Sequence, residues 1–397
     1  LVESSSLARI SMTVSVTKAL DLDRLAEQID RQTASWSEQA RAALIESLGE
    51  TRGRHVFEVV RDAVPRSYSS RVDPSTSVGD LAKVARLIEA PVDEVRVSDL
   101  IETSLSRVID GPPGEWRFRI FRRGVSATIA DLVPLLGHLG LHAVDEHPAV
   151  FKSAAGPVYL YDIGVRLPSS SGMATGDLAE RQHAEVQRAF RALVRGDVEA
   201  DGLNQLVLVA DLSVRQVAVL RCYSRYLQQA GFPFSQPYIE QVLVRHAPIA
   251  HSLAALFDAR FDPSGEPPPT ESPLLANATR TDILRRLDDV PSLDDDRICR
   301  ALLTLIDATS RTNAFQRDPA GAVSDEIAVK FDAQSIPFLP EPRPMFEIFV
   351  CSPKVEGVHL RAGRVARGGL RWSDRREDYR TEVLGLVKAQ MVKNLSL

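Results

Sequence analysis

The chain has 397 residues, 44% of them hydrophobic, and this length predicts about two to four domains because one hydrophobic core stops growing earlier. Its net charge of −5 argues against binding of nucleic acid over the whole surface, and no apolar run approaches the roughly 18 residues of a membrane helix. Three widely spaced cysteines, Cys222, Cys299 and Cys351, form no CxxC pair, so we expect neither a disulfide framework nor a zinc site, and a reducing cytoplasm fits best.

The N-terminal region is predicted to contain a strand followed by helices. Apolar and polar residues alternate from Ile10 to Val16, which is the period of a half-buried strand. From Asp23 the apolar positions recur at helical spacing as far as Gly49, a residue type that commonly ends helices. The pattern further predicts a helix from 55 to 63, a loop from 67 to 79 and a helix from 80 to 88.

The following region is predicted to be a small α+β unit. Alternation from Trp116 to Phe121 indicates a strand, and apolar residues from Ile129 to Leu139 indicate a helix that Gly140 ends. Strands are predicted again at 141–144 and 158–165. A strand, a helix packed on it and returning strands make a small α+β sandwich.

From Asp177 to Asn313 the chain is predicted to be mainly helical. Ser213 is the expected N-cap of a helix from Val214 to Ala230, and Gly231 is its expected stop. Further helices are predicted at 237–245, 249–261 and 297–311, with a linker at 262–273. Strands then recur at 327–331, 346–350 and 358–360, before a C-terminal helix.

The most informative segment is 358–394, which reads VHLRAGRVARGGLRWSDRREDYRTEVLGLVKAQMVKN. Gln390 and Lys393 are three positions apart on the predicted C-terminal helix, so both polar ends can point at one ligand. Gly368 and Gly369 allow a close approach of the backbone, and the planar fork of Arg367 suits a carboxylate or phosphate. The segment therefore predicts a site for a small dianion.

This segment resembles the substrate-binding core of the large bacterial NAD-specific glutamate dehydrogenases. The resemblance continues, in the order of the family, through EPRPMFEIFVCSPKVEGVHL, FRIFRRGV, LVPLLGHLGLHAVDEHP and DGLNQLVLVADLSVRQVAVLRCYSRYLQQAGFPFSQPYIE, and it covers most of the chain. It implies a multidomain α+β protein with ACT-like α/β sandwich units, a mainly helical middle region and the beginning of an amino-acid-dehydrogenase catalytic domain. The implied divisions are an N-terminal α+β and helical region at 1–103, an ACT-like domain at 104–167, a helical domain at 168–313 and the truncated catalytic domain at 314–397.

The resemblance also implies roles for the residues of the dianion site. Gln390 and Lys393 are similar to the pair that holds the α-carboxylate of glutamate, where an ammonium adds charge attraction to the directional hydrogen bond of an amide. Arg367 stands where simpler glutamate dehydrogenases carry a lysine that grips the distal carboxylate. An arginine at this position could bind that carboxylate or contact the backbone instead.

Neighbouring charged residues are expected to support this site rather than to bind the ligand. Arg371, Asp374 and Glu377 belong to a charged run that favours an ion-pair network around the diglycine loop. Lys388 points about 140° away from Lys393 around the helix, so it is expected outside the pocket.

The enzyme implied by the resemblance oxidises L-glutamate to 2-oxoglutarate and ammonia with NAD. The catalytic-lysine segment and the glycine-rich turn of an NAD-binding fold do not occur before Leu397, so the chain is expected to be an inactive piece of a longer protein, with NAD bound by a domain outside it. Expected partners are glutamate and 2-oxoglutarate, an amino-acid effector at the ACT-like region and further copies of the protein, without nucleic acid or membrane. The alternative is an amino-acid-sensing regulatory and assembly module without catalysis of its own.

Overall fold

The computed structural model describes residues 35–91, 100–108, 114–168, 180–263, 272–319, 321, 323–363 and 371–394, with only the backbone for 180, 272 and 390–394. The described residues fall into two compact units, one within Leu1–Glu89 and Val150–Pro157 and the other within Ala90–Ala149 and Val158–Leu397.

The described part of the first unit, from residue 35 onward, contains four helices: α1 (Trp36–Leu48), α2 (Glu50–Val60), α3 (Arg66–Ser69) and α4 (Val78–Glu89). Ser35 and Glu38 form a capping box at the start of α1, and Gly49 follows its end with a φ of 82°, as the predicted stop requires. The predicted loop at 67–79 is partly wrong, because α3 begins at Arg66 and Tyr68 is buried against Asp80, to which its hydroxyl donates at 2.9 Å. The predicted strand at 10–16 and the predicted helical residues before 35 lie outside the described residues.

A four-stranded sheet follows, most of which belongs to the second unit, whereas residues 150–157, at the end of β3 and the start of β4, belong to the first. Its elements are β1 (Ile101–Arg107), β2 (Glu115–Arg123), α5 (Ile129–His138), β3 (His142–Ser153) and β4 (Gly156–Arg166), with the strand order β1-β2-β4-β3. The predicted strands and helix are present, and Gly140 follows α5 with a φ of 77°. Strand β1 was missed. Its residues alternate between buried and half-buried positions, but only Ile101 and Leu105 are apolar, and its pairing with β2 along its whole length establishes the strand.

The helical region follows. It consists of α6 (Glu180–Arg195), α7 (Leu206–Val209), α8 (Val214–Gln229), α9 (Gln236–Arg245), α10 (Ala247–Phe261), α11 (Ser272–Asp288) and α12 (Leu293–Ala308). Ser213 and Gln216 form a capping box at the start of α8, and Gly231 adopts a φ of 77°, so both predicted ends are confirmed. The helix predicted at 297–311 instead spans Leu293–Ala308, because Ser292 caps it earlier and Thr309 begins a strand.

A second antiparallel sheet has the order β5-β6-β7-β8 and precedes the C-terminal helix. Its strands are β5 (Thr309–Thr312), β6 (Ile327–Asp332), β7 (Phe346–Cys351) and β8 (Glu356–Arg361), and the helix is α13 (Tyr379–Asn394). Helix α8 packs on this sheet, where the ring centroid of Tyr226 lies 4.4 Å from that of Phe331 and 5.5 Å from that of Phe349. The helical region and the second sheet therefore share one apolar core.

Within the residues described above, none of the helices combines the length and the apolar character needed to cross a membrane.

Candidate substrate-binding site

Helix α13 carries two of the predicted site residues near its end. Gln390 and Lys393 are both helical, and three residues of an α-helix correspond to a rotation of about 300°, so their Cα positions share one face. The side chains of both, and all of Arg367, Gly368 and Gly369, lie outside the described part of the structure. The meeting of these five residues around one ligand therefore remains a prediction.

The chain that follows the diglycine is tied to α13 through Glu382. Arg371 pairs with this carboxylate at 2.5 Å, and the Ser373 hydroxyl donates to it at 2.7 Å. Glu382 and Lys393 are eleven residues apart, so they project within about 20° of each other around the helix axis. This ion pair therefore anchors Arg371, two positions after Gly369, to the side of α13 that also carries Lys393.

The other predicted supporting residues make different contacts. Asp374 accepts from the indole nitrogen of Trp372 at 3.2 Å, and Glu377 makes no hydrogen bond or ion pair among the described residues. Arg375 instead pairs with Asp378, and its guanidinium lowers the pKa of that exposed carboxyl. The acceptor for Arg371 is thus Glu382, a residue that the sequence analysis did not single out.

The first turn of α13 is fixed by a buried ion pair. Arg380 and Glu347 of β7 have side chains that are 1% and 0% exposed, and the guanidinium binds both carboxylate oxygens, one of them at 2.9 Å from Nε. Tyr226 of α8 donates its hydroxyl to the same carboxylate at 2.6 Å, and burial raises the pKa of that phenol. The carboxylate therefore has three donated hydrogen bonds in place of water.

Gln229, the last residue of α8, also contacts the beginning of α13. Its amide nitrogen donates to the Arg376 carbonyl at 2.7 Å, and its amide oxygen accepts from the Arg380 backbone N–H at 3.2 Å. This N–H is one of the donors that an α-helix leaves without a partner in its first turn. The side chain is 2% exposed, so neither bond competes with bulk water.

Sequence reasoning missed Glu347, Tyr226, Gln229 and Arg380. The available signals were a lone carboxylate within the apolar strand FEIFVC and polar residues on the buried side of an amphipathic helix. Such residues are expected to find partners because an unpaired buried charge is costly, but the sequence does not say which partners they find.

A cavity of about 320 Å³ lies elsewhere in the second unit. Its wall combines the N-terminal half of α8, the end of α6 and residues 323–327 and 351–353, and none of residues 371–394 line it. Arg215 lies in this wall with its guanidinium bonded to the carbonyls of Ala314 and Ser324. The described residues of α13 therefore do not contribute to this cavity.

The histidines and cysteines show no sign of metal chemistry in the described ranges. No group of three His, Cys, Asp or Glu side chains could hold a metal ion there. His246 lies between α9 and α10 and contacts the buried carboxylate of Asp295 at 2.9 Å, so it has a structural partner. All three cysteines are buried free thiols.

The described residues do not fit a dinucleotide. The strand pairs β1–β2, β2–β4, β5–β6, β6–β7 and β7–β8 are antiparallel, whereas a Rossmann-type site needs parallel strands and a glycine-rich turn that leads into a helix. No residue of the described part is therefore assigned to NAD.

The described fold defines a multidomain α+β class of protein: an α+β unit, a helical region and a second antiparallel sheet that is followed by helix α13. Sequence models of known families match the same series of segments. Residues 43–87 match glutamate dehydrogenase helical motif 2, residues 101–179 its ACT3 domain, residues 198–263 its helical motif 3, and residues 282–397 the catalytic domain of bacterial NAD-glutamate dehydrogenase. The chain belongs to the family of bacterial NAD-specific glutamate dehydrogenases, which confirms the resemblance read from its sequence.

Individual relatives agree with this assignment. The chain is similar to the NAD-specific glutamate dehydrogenases of Halomonas elongata (40% identical over 375 residues), Pseudomonas aeruginosa (38% over 395) and Mycobacterium tuberculosis (41% over 361). These matches cover 94%, 98% and 89% of this chain, but only 22%, 24% and 21% of the respective relatives. The chain thus spans less than a quarter of the length of these relatives.

Proposed function

We propose that the protein containing this chain oxidises L-glutamate to 2-oxoglutarate and ammonia, with water as co-substrate and NAD as the hydride acceptor. The observation that carries the proposal is the helix α13, which places Gln390 and Lys393 on one face within a segment that matches the family's catalytic domain. The names of the three relatives support the same reaction.

The part of this chain in the reaction is to hold the substrate. The Lys393 ammonium attracts the α-carboxylate, and the Gln390 amide adds a directional hydrogen bond that fixes the orientation of the Cα–H bond. The Arg367 guanidinium provides a planar fork for the distal carboxylate beside Gly368 and Gly369. NAD supplies the hydride acceptor from a domain outside this chain, so residues 1–397 alone are expected to be inactive.

The experiment that tests this function compares Lys393→Met with Lys388→Met in the full-length protein. Lys393→Met should lower kcat/KM for glutamate by about 100-fold or more, because a charge-assisted contact to the α-carboxylate is lost. Lys388 is exposed and points about 140° away around α13, so the same substitution there is expected to have little effect. Glutamate-dependent NAD reduction that survives Lys393→Met unchanged would refute the assigned role, and a wild-type protein without this activity would refute the function.

We also propose that the ACT-like region at 104–167 binds an amino-acid effector, in a homo-oligomeric protein of the cytoplasm. The ACT3 match at 101–179 supports the effector, and the three buried free thiols fit a reducing compartment. The division at 1–103, 104–167, 168–313 and 314–397 is retained as part of this proposal. Calorimetric titration of the full-length protein with a panel of amino acids tests effector binding at 104–167. If no amino acid other than the substrate produced heat of binding, the region would have only a structural role.

A further inference from the structure

We infer that Gln229, at the end of α8 in the helical region, is a positioning residue for the glutamate-binding helix α13. The inference rests on the proposed function, because it assigns a role in substrate binding to a residue outside the catalytic-domain match at 282–397. Gln229 belongs to the segment that matches helical motif 3. The helical motif thereby contributes directly to the geometry of the substrate site.

The contacts of Gln229 fix both the position and the direction of the first turn of α13. One end of its amide binds the Arg376 carbonyl just before the helix, and the other end binds the Arg380 N–H inside the helix. Two bonds from one planar amide set a direction as well as a distance. The neighbouring ion pair of Arg380 with Glu347 holds the same turn against β7.

The remainder of α13 has few other restraints in the described structure. Leu384 is buried at 4% exposure, whereas Leu386 is 45% exposed and Lys388 and Ala389 are also exposed. The contacts of its first turn with α8 and β7 therefore contribute directly to the orientation of the helix. The positions of Gln390 and Lys393, near the other end of α13, follow from the orientation of the helix.

The length of α13 amplifies a change at its beginning. Gln390 is ten residues beyond Arg380, which is about 15 Å along the axis, so a tilt of about 5° displaces it by about 1 Å. Displacements of this size at a substrate-positioning group have large effects on catalysis. Loss of the Gln229 bonds should therefore weaken the hold on glutamate without any change in a residue that touches it.

The test uses Gln229→Met in the full-length protein, with Gln228→Met as the matched control. Methionine keeps the length and the apolar part of the side chain but forms neither hydrogen bond. Gln228 is the preceding residue of the same helix, is half-buried and makes no side-chain hydrogen bond to any residue that the structure describes.

We expect Gln229→Met to raise KM for glutamate by about tenfold, the effect of losing one to two buried hydrogen bonds, with KM for NAD within about twofold of wild type. Gln228→Met should match wild type. Equal KM values for glutamate in Gln229→Met and Gln228→Met would overturn the inference. A parallel rise in both KM values with a lowered melting temperature would also overturn it, because that result indicates general damage to the fold.

Hydrogen–deuterium exchange gives a readout that is independent of activity. The amides of 379–394 should exchange at least about threefold faster in Gln229→Met than in wild type, and Gln228→Met should leave them unchanged. If the wild-type protein lacked glutamate-dependent activity, the proposed function would be refuted. The exchange comparison of Gln229→Met with wild type would still decide whether Gln229 fixes α13. Unchanged exchange of 379–394 in Gln229→Met would overturn the positioning role.

Discussion

At the scale of single residues, the carboxylate of Glu347 is the most constrained polar group of the candidate site. It is 0% exposed and depends on Arg380 for charge balance and on Tyr226 for a further hydrogen bond. Removing one member of such a pair costs much more than the pair itself contributes, because the remaining charge stays in an apolar environment. Glu347, the only charged residue of the strand segment FEIFVC, therefore needs both Arg380 and Tyr226 to remain buried without a large loss of stability.

We predict that Arg380→Met lowers the free energy of unfolding by about 3–5 kcal/mol, because Glu347 is left buried without its guanidinium. The double variant Arg380→Met with Glu347→Gln should lose clearly less, since no charge remains. Arg375→Met is the control, because its pair with Asp378 is 55% and 45% exposed and should contribute far less to stability. Urea unfolding measures all three, and equal losses for Arg380→Met and Arg375→Met would contradict the prediction.

Asp258 provides a pH-dependent prediction in the helical region. Burial raises its pKa from 3.8 to about 6, although the Gln216 amide donates to it at 2.6 Å and acts in the opposite direction. Because the folded state binds the proton more tightly than the unfolded state, stability falls as the pH rises from about 4 through about 6.

Asp258→Asn should remove this part of the pH dependence and stabilise the protein by roughly 2 kcal/mol at pH 8. The asparagine carbonyl can still accept from Gln216. Urea unfolding at pH 5 and pH 8 tests the prediction, with Asp289→Asn as an exposed control. If Asp258→Asn were no more stable than wild type at pH 8, burial would not be the dominant effect on this carboxyl.

At the scale of elements, helices with a local start or stop signal were the most predictable. Ser213 and Gly231 bound α8 as expected, because a capping hydroxyl and a left-handed glycine act over three or four residues of sequence. Strand β1 escaped because a short alternating pattern with only two apolar residues, Ile101 and Leu105, does not by itself distinguish a strand from a loop, and its pairing with β2 decides between them. Helix α3 escaped because it depends on the burial of Tyr68, which is a tertiary effect.

The contact between α1 and α2 leads to a prediction about two glycines. A Cβ on Gly53 would lie 2.6 Å from the backbone of Ile45 and Leu44, whereas a Cβ on Gly79 in α4 would find only Lys83 Nζ at 3.8 Å. Gly53→Ala should therefore lower stability by about 1–3 kcal/mol, despite the higher helix propensity of alanine.

Gly79→Ala, the same substitution in the same unit, should be neutral or stabilising by up to about 1 kcal/mol. Thermal unfolding of the two variants measures the contrast. If Gly53→Ala stabilised the protein, the prediction would be wrong, and α1 and α2 would be able to move apart to make room for the added methyl group.

At the scale of the whole molecule, sequence reasoning identified the family and the helix that carries Gln390 and Lys393, but not the residues that hold this helix. The hydrogen bonds of Arg380 join it to Glu347, 33 residues away, and to Gln229, 151 residues away. Tyr226 reaches Glu347 across 121 residues. Pairs at such separations follow no helical or strand period, so one sequence without its fold cannot predict them.

The hydrogen bonds that Tyr226 and Gln229 of α8 make to Glu347 and to the beginning of α13 limit where this polypeptide can be divided. A fragment that starts at 282, where the catalytic-domain match begins, would contain Glu347 and Arg380 but neither Tyr226 nor Gln229. Its buried carboxylate would lack one donor, and the first amides of α13 would open to solvent. Expression boundaries for a minimal enzyme should therefore be placed upstream of Ser213, so that the whole of α8 accompanies the catalytic part.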